Sequence, residues 1–272
     1  MSASFKGFQK EELLSIFKTM ATSRRTDEKM LTLLRQGKSF FHIGASGHEG
    51  AQLACAMQMN SKQDWSYPYY RDQTMVMGLG MTTEELFLGF LAKADDPGSG
   101  GRQLPQHYGQ KDLNIVSQSS PTGTQYLQAV GTAMATRQTD KNAIVYVSSG
   151  EGTTSQGEFH EALNWAGREK LPVLFHIEDN GFAISVPKSS QTAEGSVYDM
   201  VGGYGNLNRF ETDGTDFFDS FTTFKEAISS IRAGKGPAIV VSNVVRLLPH
   251  SSSDDHRKYR DADELSEEQK RE

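Results

Sequence analysis

The sequence has a single cysteine, Cys55, in 272 residues, which excludes an intramolecular disulfide framework and any multi-cysteine zinc site. A reducing compartment suits it. Positive charge is not in excess: 28 Lys and Arg stand against 34 Asp and Glu, and a net charge of −6 gives no field to attract a nucleic acid. No apolar run reaches the about 18 residues of a membrane span, and the start, MSASFKGFQKEE, lacks the apolar core of a signal peptide. The expectation is a cytoplasmic protein that meets neither nucleic acid nor membrane. Hydrophobic residues, at 36%, are modest for a self-contained chain, while 26 glycines and 15 phenylalanines point to tight turns and aromatic contacts. An apolar face covered by a partner subunit fits that balance.

Periodicity organises what is there. Leu13, Ile16, Phe17, Met20, Met30, Leu31 and Leu34 recur at helical spacing and predict a long peripheral helix over residues 9–36. Short helices are expected at Gly50–Met59 and Thr83–Leu91, amid Gly, Pro and Asp loops of which Asp95–Gly101 is the loosest. Gln125–Arg137 is Ala-rich, suited to a helix packed closely on a sheet. Ala143–Ser148, Pro172–Ile177 and Pro237–Val244 read as buried strands, separated by helical stretches at Ser155–Arg168 and Asp216–Ala233. This alternation predicts an α/β fold, a parallel sheet with helices on both faces. Residues 1–272 are read as one domain with an N-terminal helical extension. The charged end, Asp261–Glu272, carries no stop signal, so a C-terminal segment is expected to be missing.

In open parallel sheets, ligands sit beyond the carboxyl ends of strands. The segments there read Gly150-Glu151-Gly152-Thr153 and Asp179-Asn180-Gly181-Phe182. A carboxylate, an amide oxygen and a backbone carbonyl, completed by phosphate oxygens and water, make a hard octahedral site suited to magnesium with a diphosphate. Taken alone, the same residues read more readily as a simple strand-to-helix turn and a β-turn. The separation of the two motifs resembles the thiamine-diphosphate signature, a Gly-acid-Gly followed by an Asn pair.

Further blocks occur in matching order: SYPYYRDQ (Ser66–Gln73), GRQLPQHYG (Gly101–Gly109), SSPTGTQ (Ser119–Gln125), GEGTTSQGEFHEALNWA (Gly150–Ala166), LPVLFHIEDNGFAIS (Leu171–Ser185) and PHSSSDDHRKYR (Pro249–Arg260). From about Phe40 to Arg260 the chain resembles the α subunit of the branched-chain 2-oxo acid dehydrogenase (2-oxoisovalerate dehydrogenase, the decarboxylating component). The resemblance implies the thiamine-diphosphate-binding fold and cofactors thiamine diphosphate and Mg2+. Glu151, Asn180 and the Phe182 carbonyl fall on the metal. Tyr70, Arg71, Ser120, Thr122, Gly152, Thr153, Ile184 and His250 fall where the family touches the cofactor, His250 also as the catalytic histidine of a mobile loop. Ser119, Pro121, Thr124 and Gln125 match a site for K+. The implied reaction converts branched-chain 2-oxo acids to carbon dioxide and an acyl group carried on lipoyl. The implied partners are a β subunit, separate or fused, that completes the active site in an α2β2 assembly, and a lipoyl-bearing acyltransferase.

Two positions depart from the pattern. Asp179 replaces the first Asn of the usual pair, and Glu178 stands where the animal enzymes place an Arg against the diphosphate. Three other readings stay open: a pyruvate or acetoin dehydrogenase α subunit, a non-catalytic thiamine-diphosphate-binding homologue, and, weakest, a nicotinamide enzyme, since Gly203-Tyr204-Gly205 lacks the third glycine. His160-Glu161-Ala162-Leu163-Asn164 fails the two-histidine zinc pattern. Of the remaining histidines, His107 is the best functional candidate.

Overall fold

The computed structural model describes residues 4–271. Five parallel strands form the central sheet: β1 (Trp65–Tyr67), β2 (Val145–Gly150), β3 (Val173–Asp179), β4 (Asn208–Asp213) and β5 (Ala238–Asn243), in spatial order β1-β2-β3-β5-β4. Alternate side chains leave opposite faces of each strand. Tyr146, Leu174 and Val240 enter one core, whereas Val145, Val147, Phe175 and Val241 enter the other. Both faces are therefore covered, which is why the strands read as continuous β-branched runs rather than alternating ones.

Five helices line the first face: α1 (Lys10–Arg35), α2 (Glu49–Ala56), α3 (Gln73–Leu79), α4 (Thr83–Phe90) and, later in the chain, Phe217–Arg232. The second face is lined by α5 (Thr124–Thr139) and α6 (Gly157–Glu169). We call Phe217–Arg232 α7 and the terminal helix, Ala262–Lys270, α8. Local chemistry sets several ends. Thr82 and Glu85 form a reciprocal capping box at the start of α4, and the Asp216 carboxylate accepts from the Phe218 and Asp219 amides at the start of α7. In α5, Ala129 and Ala133 pack against the sheet while Gly131 and Ala135 face outward. Phe159 and Phe175 are wholly buried in the same core. Truncating either to alanine should cost about 3–5 kcal/mol.

The sequence reading overlooked β1, β4, α3 and α8. β1 is only three residues long, and β4 (NRFETD) is an edge strand whose polar positions hide its period. The charged end is a helix anchored by Arg260, whose buried guanidinium pairs with Glu264 at 2.8 Å and Glu268 at 2.6 Å. Among the described residues no helix is long and apolar enough to cross a membrane.

Candidate functional site

Register brings the motifs together. Gly150 pairs with Glu178 and Asp179 with Asn243, so Glu151, Asn180 and Val244 leave the sheet at one level. β1 pairs with β2 alongside, and the chain leaving it carries Tyr70 and Arg71. Four strand ends thus surround one space, and the candidate residues come from all four.

The acidic bank is Glu151 and its neighbours. Glu151 is buried; its Oε2 accepts from the Asn180 amide at 3.2 Å, while Oε1 has no partner. Burial, together with the charge of Asp179, pushes its carboxyl up to about 7. Asp179 itself is paired with Lys188 at 2.6 Å. That ion pair offsets only part of the extra acid noted in the sequence, since Lys188 lowers the Glu151 carboxyl less than Asp179 raises it. Asn180 Oδ1 accepts from the Phe182 amide at 3.3 Å, which fixes the side chain of the residue whose backbone amide meets the carboxylate. The turn Glu151–Ser155 is tight, and a Cβ on Gly152 would lie 2.7 Å from the Ala183 Cβ, so no larger residue fits without a shift. Gln191 Nε2 donates to the Gly152 carbonyl at 2.8 Å, and Thr153 beside it is half-buried.

The basic bank faces it. Arg71 is buried and donates to the Gly44 carbonyl at 2.6 Å, to the His250 carbonyl at 3.0 Å and to His250 Nδ1 at 3.1 Å. Its guanidinium lies 5.2 Å from the Tyr70 ring centre, and that ring meets His250 edge-on at 5.9 Å. Burial, then Arg71 and Arg246, push the His250 imidazole down to about 4. Because Nδ1 accepts from Arg71, the neutral ring carries its proton on Nε2.

Sequence reasoning missed Arg246. It is buried, donates to the Ile184 carbonyl at 3.0 Å and to the Tyr259 hydroxyl at 2.9 Å, and lies 3.5 Å from the Phe182 carbonyl. Tyr259 in turn donates to Asp254 at 2.5 Å, and Asp254 accepts from the His250 amide at 2.9 Å. One guanidinium therefore ties the Phe182–Ile184 segment to the His250 loop. Ile184 sits at φ 56, a left-handed conformation unfavourable for a β-branched residue, with its side chain exposed. The available signal was an arginine inside an apolar run, NVVRLL, since a buried charge must be paired or face a ligand.

A polar floor lies beneath both banks. Glu178 accepts from Gln52 at 2.9 Å and from the Tyr69 hydroxyl at 3.1 Å, and its Oε2 is 2.5 Å from His48 Nδ1. Burial pushes the carboxyls of Glu178 and Asp72 up and the His48 imidazole down to about 3. Gln52 also donates to the Arg71 carbonyl at 2.9 Å, so this floor fixes the backbone of the basic bank. Asp27 does similar work from α1, accepting from the Ala45 and Ser46 amides and so shaping the loop whose Gly44 carbonyl holds Arg71.

The SSPTGTQ segment stands at the edge of this space. Ser120, Pro121 and Thr122 are exposed, and Ser119 is partly so. Gln125 is buried, donates to the Ser148 carbonyl at 3.1 Å and accepts from the Gly123 amide at 3.0 Å; Thr124 opens α5 beside it. Ser120 Oγ lies 2.6 Å from His107 Nε2.

The dehydrogenase E1 component family matches over residues 17–272. The chain is 42% identical over 264 residues to 2-oxoisovalerate dehydrogenase subunit alpha of Bacillus subtilis, covering 97% of this chain and 80% of that protein. It is 35% identical to the mitochondrial 2-oxoisovalerate dehydrogenase subunit alpha of Caenorhabditis elegans, covering 95% of this chain and 59% of that protein. Against the pyruvate dehydrogenase E1 component subunit alpha of Staphylococcus aureus the identity is 32%, over 96% of this chain and 68% of that one. With its strand-end site and these likenesses over nearly its whole length, the chain belongs to the dehydrogenase E1 component family.

Proposed function

We propose that this chain is the α subunit of a thiamine-diphosphate-dependent 2-oxo acid dehydrogenase that decarboxylates branched-chain 2-oxo acids and passes the acyl group to lipoyl. The observation that carries this is the unpartnered, buried Glu151 Oε1 beside Asn180, facing Arg71 and His250 across adjoining strand ends. Among the described residues there is no cluster of three or more His, Cys, Asp or Glu able to hold a metal alone. A cation that takes its remaining ligands from a diphosphate fits this donor set. Glu151, Asn180 and the Phe182 carbonyl would hold magnesium, and its charge would favour the ionised form of Glu151.

When bound, thiamine diphosphate supplies the nucleophilic carbon and the electron sink for decarboxylation. The chain's own residues hold and orient. Arg71 presents a fork of donors to a phosphate and Tyr70 a directional hydroxyl. Gly152 and Thr153 lend backbone amides at the turn, Ile184 presents its side chain beside them, and Ser120 and Thr122 close the other edge. His250 holds phosphate or carries a proton at Nε2. A potassium ion at Ser119, Pro121, Thr124 and Gln125 would brace the segment that carries Ser120. A β subunit supplies the remaining half of the site, and an acyltransferase bearing lipoyl takes the product.

The test is decarboxylation of 3-methyl-2-oxobutanoate and of pyruvate by the chain assembled with its β partner, with magnesium and thiamine diphosphate present or withheld. Activity that needs both and prefers the branched acid supports the reading. The similarity to a pyruvate dehydrogenase subunit favours a second reading, and preference for pyruvate would select it. No thiamine diphosphate binding by the assembled enzyme would refute both.

A further inference from the structure

His107 belongs to neither bank. It belongs to the GRQLPQHYG block, and its neighbour Tyr108 donates its hydroxyl to the Tyr70 carbonyl at 3.2 Å, so the His107 backbone is tied to the basic bank. Ser120 is tied to the opposite bank. A Cβ on Gly123 would come 3.0 Å from the Gln156 side chain and 3.7 Å from Thr153, which puts the Ser119–Gly123 segment against the Glu151 turn. The Ser120–His107 hydrogen bond, at 2.6 Å, therefore bridges the two banks.

His107 Nδ1 lies 3.3 Å from the Pro105 carbonyl, which can only accept, so Nδ1 carries the proton of the neutral ring. Nε2 then has a lone pair and Ser120 must donate to it. With its hydrogen committed, the exposed Ser120 oxygen presents only lone pairs to the space between the banks. A free serine hydroxyl would rotate and serve either role.

We propose that His107 is a positioning residue that fixes Ser120 as a hydrogen-bond acceptor, selecting an N–H or O–H donor on the organic part of the bound cofactor or substrate rather than its phosphates. This rests on the thiamine-diphosphate reading above. It predicts that the His107–Ser120 pair acts on orientation, while Arg71 and the metal ligands carry diphosphate affinity.

The experiment uses the α chain assembled with its β partner. His107→Leu should lower kcat about tenfold while leaving the affinity for inorganic diphosphate unchanged. His107→Gln, which keeps an acceptor near the Nε2 position, should recover most of that loss. The double variant His107→Leu/Ser120→Ala should be no slower than Ser120→Ala alone, because the two residues work as one unit. Independently of turnover, 15N chemical shifts of histidine-labelled protein should show His107 protonated at Nδ1, with the Nε2 resonance moving in Ser120→Ala. Unchanged kcat in His107→Leu, additive losses in the double variant, or an Nε2-protonated ring would each overturn the proposal. An assembly that fails to bind thiamine diphosphate before any substitution would instead overturn the functional reading, and the proposal with it.

Discussion

On the acidic bank a single carboxylate, Glu151, is buried with one oxygen unpartnered, and its pKa is driven up. On the basic bank two guanidiniums and an imidazole crowd together, and the pKa values of Arg246 and His250 are driven down. Burial is the largest cause on both sides. Each bank is shifted toward losing its charge, in opposite directions. A ligand with a cation at one end and an anion at the other relieves both at once. The strain also differs in how it is held. The acidic bank rests on strand ends and one turn, whereas the basic bank is strung between loops by hydrogen bonds to carbonyls at Gly44, Ile184 and His250.

Loss of the basic bank should weaken the site most. Arg71→Ala removes a buried donor fork, and since a hydrogen bond to a charged group is worth about 1.5–3 kcal/mol, thiamine diphosphate affinity should fall by about 10- to 100-fold. Calorimetry on the assembled enzyme measures it, and an unchanged affinity would move the anion off this bank. Glu151→Gln keeps the shape of the acidic bank but removes its charge. Cofactor binding should weaken by roughly tenfold at limiting magnesium and recover as magnesium is raised, a dependence that Arg71→Ala should not show.

A pH series sharpens the contrast further down. His176 is wholly buried, with Nδ1 3.0 Å from the Tyr146 hydroxyl and Nε2 2.9 Å from Ser242, and burial lowers its pKa to about 3. The unfolded chain therefore binds its proton first as pH drops below 6.5. The stability this histidine contributes is complete above about 6.5 and is lost as pH falls toward its folded value. Glu151 runs the other way: its contribution is complete below 4.5 and is lost as pH rises through about 7. Urea titrations of the metal-free chain should show His176→Gln losing about 1–2 kcal/mol less than the unsubstituted chain between pH 6.5 and 5. Parallel curves would mean that His176 is already charged in the fold.

The sequence made the acidic bank far more legible than the basic one. Glu151 and Asn180 follow two apolar runs that could only be buried strands, and adjacent parallel strands place their ends together whatever the rest of the chain does. Arg71 was visible through its motif, but its contact with His250 spans most of the chain length and no local period encodes it. Arg246, Asp254 and Tyr259 lie in a loop without helical or strand period, where a hydrogen-bond chain rather than a hydrophobic pattern decides the conformation. The short strand β1 and the polar edge strand β4 were lost for a related reason, since each buries too few apolar side chains to show its period.

The link between the two parts of the basic bank is a single side chain. Tyr259 joins Arg246 to Asp254 through one hydroxyl that accepts from the first and donates to the second. Removing it leaves Arg246 on the Ile184 carbonyl and Asp254 on the His250 amide, so the two parts of the basic bank survive but lose their link. Tyr259→Phe also keeps the ring contact with Phe182, at 6.1 Å between centroids, and so deletes little besides the hydroxyl. A hydrogen bond of this kind is worth about 1 kcal/mol, or about fivefold in the population of the opened loop. Amide exchange at residues 250–255 should speed up by about that factor, while amides of β2 and β3 keep their rates because strands, not loops, hold the acidic bank. Equal acceleration on both banks would show that they open together and that the division between them is false.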